Sequence, residues 1–171
     1  GAERFEVLLP YGGAAWGRLD AEGEDELAAW VADHGDAGVQ LERNVAYVAL
    51  VRSGGIPGSG NWTHEHADAA NTRVSPDAVV RAPLGVLWFG GPSNDGVLPR
   101  HGHGPQPQVY DGRLIIEGPD MMRAMDIYTG RLLWERKFPG IGFFFDNLGH
   151  QPGANGTGTN YISTAEGVYV V

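Results

Sequence analysis

The stretch from Met121 to Arg136 constrains this chain more than any other. Met121–Asp126 alternates large apolar with polar or small side chains, the period-2 pattern of a strand with two different faces. Arg131–Arg136 resumes that character. Tyr128-Thr129-Gly130 between them supplies the reversal, with Gly130 free to take φ > 0 without steric cost. Trp134 is large enough to lie against a neighbouring sheet as well as its own. Two strands alone are marginal in water, so the hairpin must belong to a larger β array.

The flanks supply that array. Gln108-Val109-Tyr110 reads as an inner strand, Asp111-Gly112 as a hairpin turn and Arg113–Glu117 as a second strand. Gly118-Pro119-Asp120 then turns the chain into Met121–Asp126, which gives a four-stranded up-and-down sheet ending at Arg131–Arg136. Tyr161-Ile162-Ser163-Thr164, Ala165-Glu166-Gly167 and Val168–Val171 restart the same pattern about fifty residues on, as a repeat array does.

The spacing Ala124-x-Asp126-x-x-Thr129-Gly130-x-x-x-Trp134 resembles the tryptophan-docking repeat of quinoprotein-type β-propellers, the pyrroloquinoline quinone (PQQ) repeat family. In that family the Trp packs between adjacent blades, and the Asp and Thr-Gly brace the turn. The resemblance therefore implies structural roles for Ala124, Asp126, Thr129, Gly130 and Trp134. It implies a mainly β fold: a partial propeller of about one complete blade plus parts of its neighbours. Within Asn61–Thr72, the order Trp, Asp, then Asn-Thr looks like the segment that opens such propellers. Leu84–Phe89 resembles the outer strand, ending in Trp, that closes a neighbouring blade. Residues 73–85 read as an irregular excursion, and Gly90–Pro107 as a loop.

Residues 1–52 are a different unit, a small α/β subdomain. Phe5–Leu9 reads as a strand, Tyr11-Gly12-Gly13 as a turn and Glu24–Val31 as a helix with an acidic first turn, stopped near Gly35. Leu27, Trp30 and Val31 share one helical face. Val39–Glu42 and Tyr47–Val51 read as an antiparallel hairpin around Arg43-Asn44. Strand, helix and closing hairpin are similar to the C-terminal end of a class I, S-adenosylmethionine-dependent methyltransferase domain, whose glycine-rich donor loop would lie before Gly1; the alternative is a plain α/β subdomain. Ser53–Gly60 is rich in Gly and Ser, so 53–61 is assigned as a linker and 62–171 as the incomplete propeller. A start without Met and an apolar end at Val168–Val171 read as a piece of a longer polypeptide, whose remaining blades would be the first partners of this one.

Composition narrows function by exclusion. A net charge of −9 argues against non-specific binding to nucleic acid or anionic membranes. The absence of Cys removes disulfides and thiolate metal sites. No apolar run approaches the roughly 18 residues of a membrane span, and 1–30 lacks the order of a signal peptide, which leaves the compartment open.

Candidate chemistry is sparse. His64/His66 and His101/His103 are two His-x-His pairs; in an extended segment each would present two imidazoles to one side, and together they could hold zinc or copper. The alternative is loop histidines bonded to backbone and solvent. Asn147–Asn155 could line a channel mouth or serve as a structural loop. Phe143-Phe144-Phe145 is expected in the core rather than as a docking patch. Asn61-Trp62-Thr63 and Asn155-Gly156-Thr157 fit the N-glycosylation triplet, which carries no weight without a secretory route. No catalytic triad, P-loop or paired-carboxylate motif is legible, so no activity is assigned. Quinoprotein dehydrogenases of this fold bind PQQ and calcium on the propeller axis, use an Asp as base and stack the quinone over a vicinal Cys pair. This chain has no Cys, and no position takes the catalytic Asp or the calcium ligands. PQQ is accordingly a candidate cofactor for the full-length protein and not for this stretch. The function expected is a binding or scaffold propeller, with a quinoprotein oxidoreductase and a fusion to an upstream methyltransferase as alternatives.

Overall fold

The computed structural model describes residues 8–35, 38–98, 105–143 and 159–171. The fold is mainly β, built from antiparallel sheets, and the chain divides into two compact units, Gly1–Pro57 and Gly58–Val171.

The first unit is a three-stranded sheet with one helix. β1 (Ala14–Gly17), β2 (Val39–Arg43) and β3 (Val48–Arg52) lie in the order β1-β3-β2, with β3 central. Its helix, α1, runs from Ala21 to Asp33, longer than the expected 24–31. The extra turn begins where the Asp20 side chain accepts a hydrogen bond from Gly23 N at 3.0 Å, satisfying an otherwise orphaned donor. At the other end His34, not Gly35, is the cap: its N–H donates to the Trp30 and Val31 carbonyls, and its ring stacks on Trp30 at 4.5 Å. Leu27, Trp30 and Val31 pack with Leu8 on buried Val39 and Leu50, as their shared helical face requires. The hairpin between β2 and β3 is turned by Asn44, whose side-chain oxygen accepts from Ala46 N at 2.8 Å and Tyr47 N at 3.0 Å.

The N-terminal strand is a correction. Residues 5–7 lie outside the described residues, Leu8 and Leu9 are not in a strand, and the edge strand is β1, which the sequence reading missed. Ala-Ala-Trp-Gly has no apolar alternation, and its pairing is made by a distant partner, Ala14 opposite Val51 and Gly17 opposite Val48.

The second unit is organised around a four-stranded meander. β4 (Gln108–Tyr110), β5 (Arg113–Gly118), β6 (Met121–Asp126) and β7 (Leu132–Lys137) pair in sequence order, and β8 (Tyr161–Ser163) pairs with β9 (Val168–Val170). Asp111 and Gly112 both take positive φ, 51° and 75°, the twist-matched turn that joins two strands tightly. Register explains the Ala-to-Trp spacing. Gln108, Ile115, Ala124 and Trp134 stand opposite one another in a single row across all four strands. A bulge places Leu133 as the extra residue between Leu132 and Trp134, which turns the Trp onto the face shared with Ile115. Ala124, with no exposed surface, leaves room for the ring beside it.

That face carries the core. Ile115, Met122, Ala124 and Tyr161 are buried together, with Leu133, Trp134, Ile141 and Val168 packed around them. Ile115 and Met122 are each worth about 1.5–3 kcal/mol of apolar burial. Gln108 bridges the two sheets: its Nε2 donates to Tyr161 O at 3.0 Å and its Oε1 accepts from Ser163 N at 2.8 Å, so one side chain pairs with β8 as a strand would.

Residues 58–98 cover the opposite face without a named strand of their own. Trp62 makes an isolated bridge to Val109 through paired 2.8 Å bonds. Arg123 donates to Glu135 at 2.7 and 2.9 Å, to Ser93 O at 2.7 Å and to Asp95 O at 3.3 Å, clamping that segment to β6. The strand expected at 84–89 is absent. Leu84, Val86, Leu87 and Phe89 are exposed, Phe89 completely, and among the described residues no neighbouring strand offers them backbone partners. Phe143, expected in the core, is 68% exposed; Phe144 and Phe145 lie outside the described residues.

The division between the two units falls within 53–61, and both ends of that stretch are hydrogen-bonded. Ser53 N donates to Gly38 O at 2.8 Å and Tyr11 N to Gly54 O at 3.0 Å, tying the start of this stretch into the first unit. Gly60 N donates to Asp77 Oδ2 at 3.0 Å and Ala78 N to Gly58 O at 2.9 Å, tying its end into the second.

Candidate functional site

Two features of the second unit gather polar side chains from distant parts of the chain. The first is the turn between β6 and β7. Asp126 is fully buried; its carboxylate accepts from Tyr128 N at 3.0 Å and Thr129 Oγ1 at 2.6 Å, and its backbone carbonyl accepts from Gly130 N at 2.8 Å. The turn is thereby rigid enough to serve as a seat. Trp88 occupies it: the indole N–H donates to Ile127 O at 2.9 Å and the ring lies on Gly130. Gly130 has φ of 70°, and a methyl there would overlap the Trp88 ring, so glycine is required on both counts.

Beside this seat is a cavity of about 450 Å³, walled by Trp62, Val80, Leu87, Val109 and Ile127, with Asp77 and Tyr128 as its main polar pair. Asp77 collects four donors: Gly60 N, Val79 N at 2.9 Å, Val80 N at 2.8 Å, and the Tyr128 hydroxyl. Burial pushes the Asp77 carboxyl up, but the bonds from Gly60, Tyr128, Val80 and Val79 outweigh it and hold the group below the usual carboxylate range. Tyr128 moves the other way, pushed up to about 12 by burial and by its bond to Asp77. A carboxylate so fully occupied holds the structure in place and has no lone pair to spare for a substrate proton.

The second feature is a cleft of about 320 Å³ between Thr63–Glu65, Gln106 and Gln108, and Thr159–Ile162. Its floor is satisfied internally, with Gln108 committed to β8 and the Tyr161 hydroxyl set against Gln106 O at 2.7 Å and Ile115 O at 3.2 Å. His64, Glu65, Gln106 and Thr159 provide further polar lining, suited to hydrogen-bonding a small polar ligand.

The histidines do not sit as an extended His-x-His would place them. His64 and Ala67 bridge across a turn that contains His66, and the i, i+2 alternation does not apply inside it. His64 Nδ1 is 2.9 Å from Thr63 Oγ1, while His66 Nε2 lies 3.4 Å from Arg73 Nη2, a cation where a metal site wants none. His101 and His103 lie outside the described residues, as do 147–155. Among the described residues no group of three or more His, Cys, Asp or Glu is placed to hold a metal ion. Nor is any helix among them long and apolar enough to cross a membrane. Asn61 is exposed, and its side-chain oxygen accepts from Asp111 N at 2.8 Å, bracing the β4–β5 turn.

The five spacing residues converge as one structural group, with Ala124 opposite Trp134 and Asp126, Thr129 and Gly130 in the turn. No local pattern marks the pairing of Asp77 with Tyr128 across 51 residues, or the buried Arg123 clamp, and neither is expected from the sequence. The chain matches no family model, no curated protein and no solved structure.

Proposed function

We propose that residues 58–171 are part of a β-propeller of PQQ-type repeats whose role is binding or scaffolding. The observation that carries this reading is the seating of Trp88 on the Asp126–Gly130 turn, a Trp from outside the four-stranded sheet docked on the segment where the spacing places a docking repeat. Trp134 occupies the opposite face of the same sheet, against the next hairpin, which supports a stack of blades.

The residues do not suit PQQ with its calcium. Among the described residues, neither the 450 nor the 320 Å³ cavity is lined by Arg or Lys to meet an anionic quinone, and the smaller one adds the Glu65 carboxylate. No vicinal Cys pair exists in this chain. The binding or scaffolding role is therefore preferred to a quinoprotein oxidoreductase. A fusion to an upstream methyltransferase, whose end the α/β unit would be, is kept as a second alternative beside a plain α/β subdomain.

Electron microscopy of the full-length protein tests the architecture: radial blades around a channel are expected, and a sandwich or other packing would overturn the reading. Titration with PQQ and calcium is expected to leave the quinone spectrum unchanged; stoichiometric binding would favour the oxidoreductase. Calorimetry with S-adenosylmethionine tests the methyltransferase fusion in the same material.

A further inference from the structure

Glu117, on β5, is 3% exposed and makes no ion pair among the described residues. Its Oε1 accepts from Asn160 Nδ2 at 3.1 Å, joining the blade to the residue that leads into β8. Among the described residues, two buried atoms of this pair have no hydrogen-bond partner, Glu117 Oε2 and Asn160 Oδ1. As a carboxylate and an amide oxygen, both are acceptors, and neither can satisfy the other. A proton on Oε2 would supply what both lack: the acid O–H would donate to the amide oxygen while the amide N–H donates to the acid carbonyl, a two-bond ring.

We propose that Glu117 and Asn160 form a neutral acid–amide pair that latches the β8–β9 hairpin to the blade, and that ionisation of Glu117 releases the latch. Thr159, Tyr161 and Ile162 wall the 320 Å³ cleft, so release also loosens one side of that cleft.

Among the described residues, few charged or titratable groups share the face of Glu117. Register puts Arg136 two strands away in its own cross-strand row, behind Met122. Arg113 lies four residues back along β5. Asp126 lies at the far end of β6, bound into its turn, and Tyr161 lies on β8 with its hydroxyl engaged. The turn carrying Gly142 adds none. Burial accordingly pushes the Glu117 carboxyl above its ordinary 4.5, while the Asn160 bond opposes this only in part. A carboxyl raised on folding stabilises fully below its unfolded value, and that contribution is lost as pH rises through the folded value. The latch holds in acid and loosens toward neutrality.

The test uses the full chain in two measurements. Carbon-detected NMR titration of Glu117 should show a midpoint above 4.5. Hydrogen exchange of the Ser163 amide, corrected for intrinsic rate, should quicken between about pH 4 and 8 by about tenfold per unit of upward shift. Glu117→Gln keeps both bonds of the ring without a proton to lose, so its corrected exchange should be flat over that range. A Glu117 midpoint at or below 4.5, or the same pH dependence in wild type and E117Q, would overturn the latch. If E117Q does not fold, the wild-type titration and exchange decide the matter together.

Discussion

Two stretches of this chain read almost alike and end differently. Arg131-Leu132-Leu133-Trp134 and Leu84-Gly85-Val86-Leu87-Trp88 are both short apolar runs closing on a tryptophan. The first becomes β7, paired along β6 from Met121 to Met125. The second forms no strand, and its Trp88 side chain is anchored by a bond to the Ile127 carbonyl. Strand propensity is thus a capacity that a neighbour must complete, since an unpaired backbone in a sheet conformation has nowhere to send its N–H and C=O groups except water. A tryptophan needs less: one carbonyl for its N–H and one flat surface for its ring.

The comparison sharpens under substitution. Met122→Ala removes a side chain that is 1% exposed from the core beneath β7 and should cost about 2–5 kcal/mol, read from the denaturant midpoint. A loss well under 1 kcal/mol would mean that the paired sheet is not where the stability resides. Trp88→Ala removes a half-buried ring and should cost less, about 1–3 kcal/mol, below the roughly 3–5 typical of a fully buried aromatic. Its sharper readout is hydrogen exchange: residues 84–89 should lose what protection they have while 132–137 keep theirs. Protection that persists at 84–89 would show a second anchor and break the contrast.

Gly130→Ala should destabilise by about 1–3 kcal/mol through its positive φ and the overlap with Trp88. In the Trp88→Ala background only the φ cost should remain, and a double-mutant cycle returning no coupling would unseat Trp88 from the turn. The smallest effect concerns Asp77, whose carboxyl is depressed on folding. Its contribution is present above the unfolded carboxylate value and is lost as pH falls through the folded one. Asp77→Asn should flatten the acid limb of a stability-against-pH curve for the second unit, and an unchanged limb would assign that loss to other carboxylates.

What could be read in advance was what depends on near neighbours. The four strands of the meander, its Asp111-Gly112 turn and the β2–β3 hairpin follow from period-2 patterns and turn residues acting within a few positions. Elements set by distant partners were missed or overstated: β1, whose partner begins more than thirty residues on, and the strand at 84–89, which pairs with no strand among the described residues. The candidate site divides in the same way. Asp126, Thr129 and Gly130 act within one turn and show in the spacing, whereas Asp77 meets Tyr128 across 51 residues with nothing local to announce it.

By itself, then, the sequence determined a mainly β chain with an α/β start, the hairpin turns and the position of the Asp-Thr-Gly seat. These depend on which φ values a residue tolerates and which side of a pleat it faces, both local properties. Tertiary structure alone decided which apolar run paired, that His66 lies inside a turn bridged by His64 and Ala67, that Trp88 fills the seat and that Glu117 is buried against Asn160. Each of those outcomes rests on burial or on a partner far along the chain, and desolvation and hydrogen bonding act only once the folded chain has brought the two groups together.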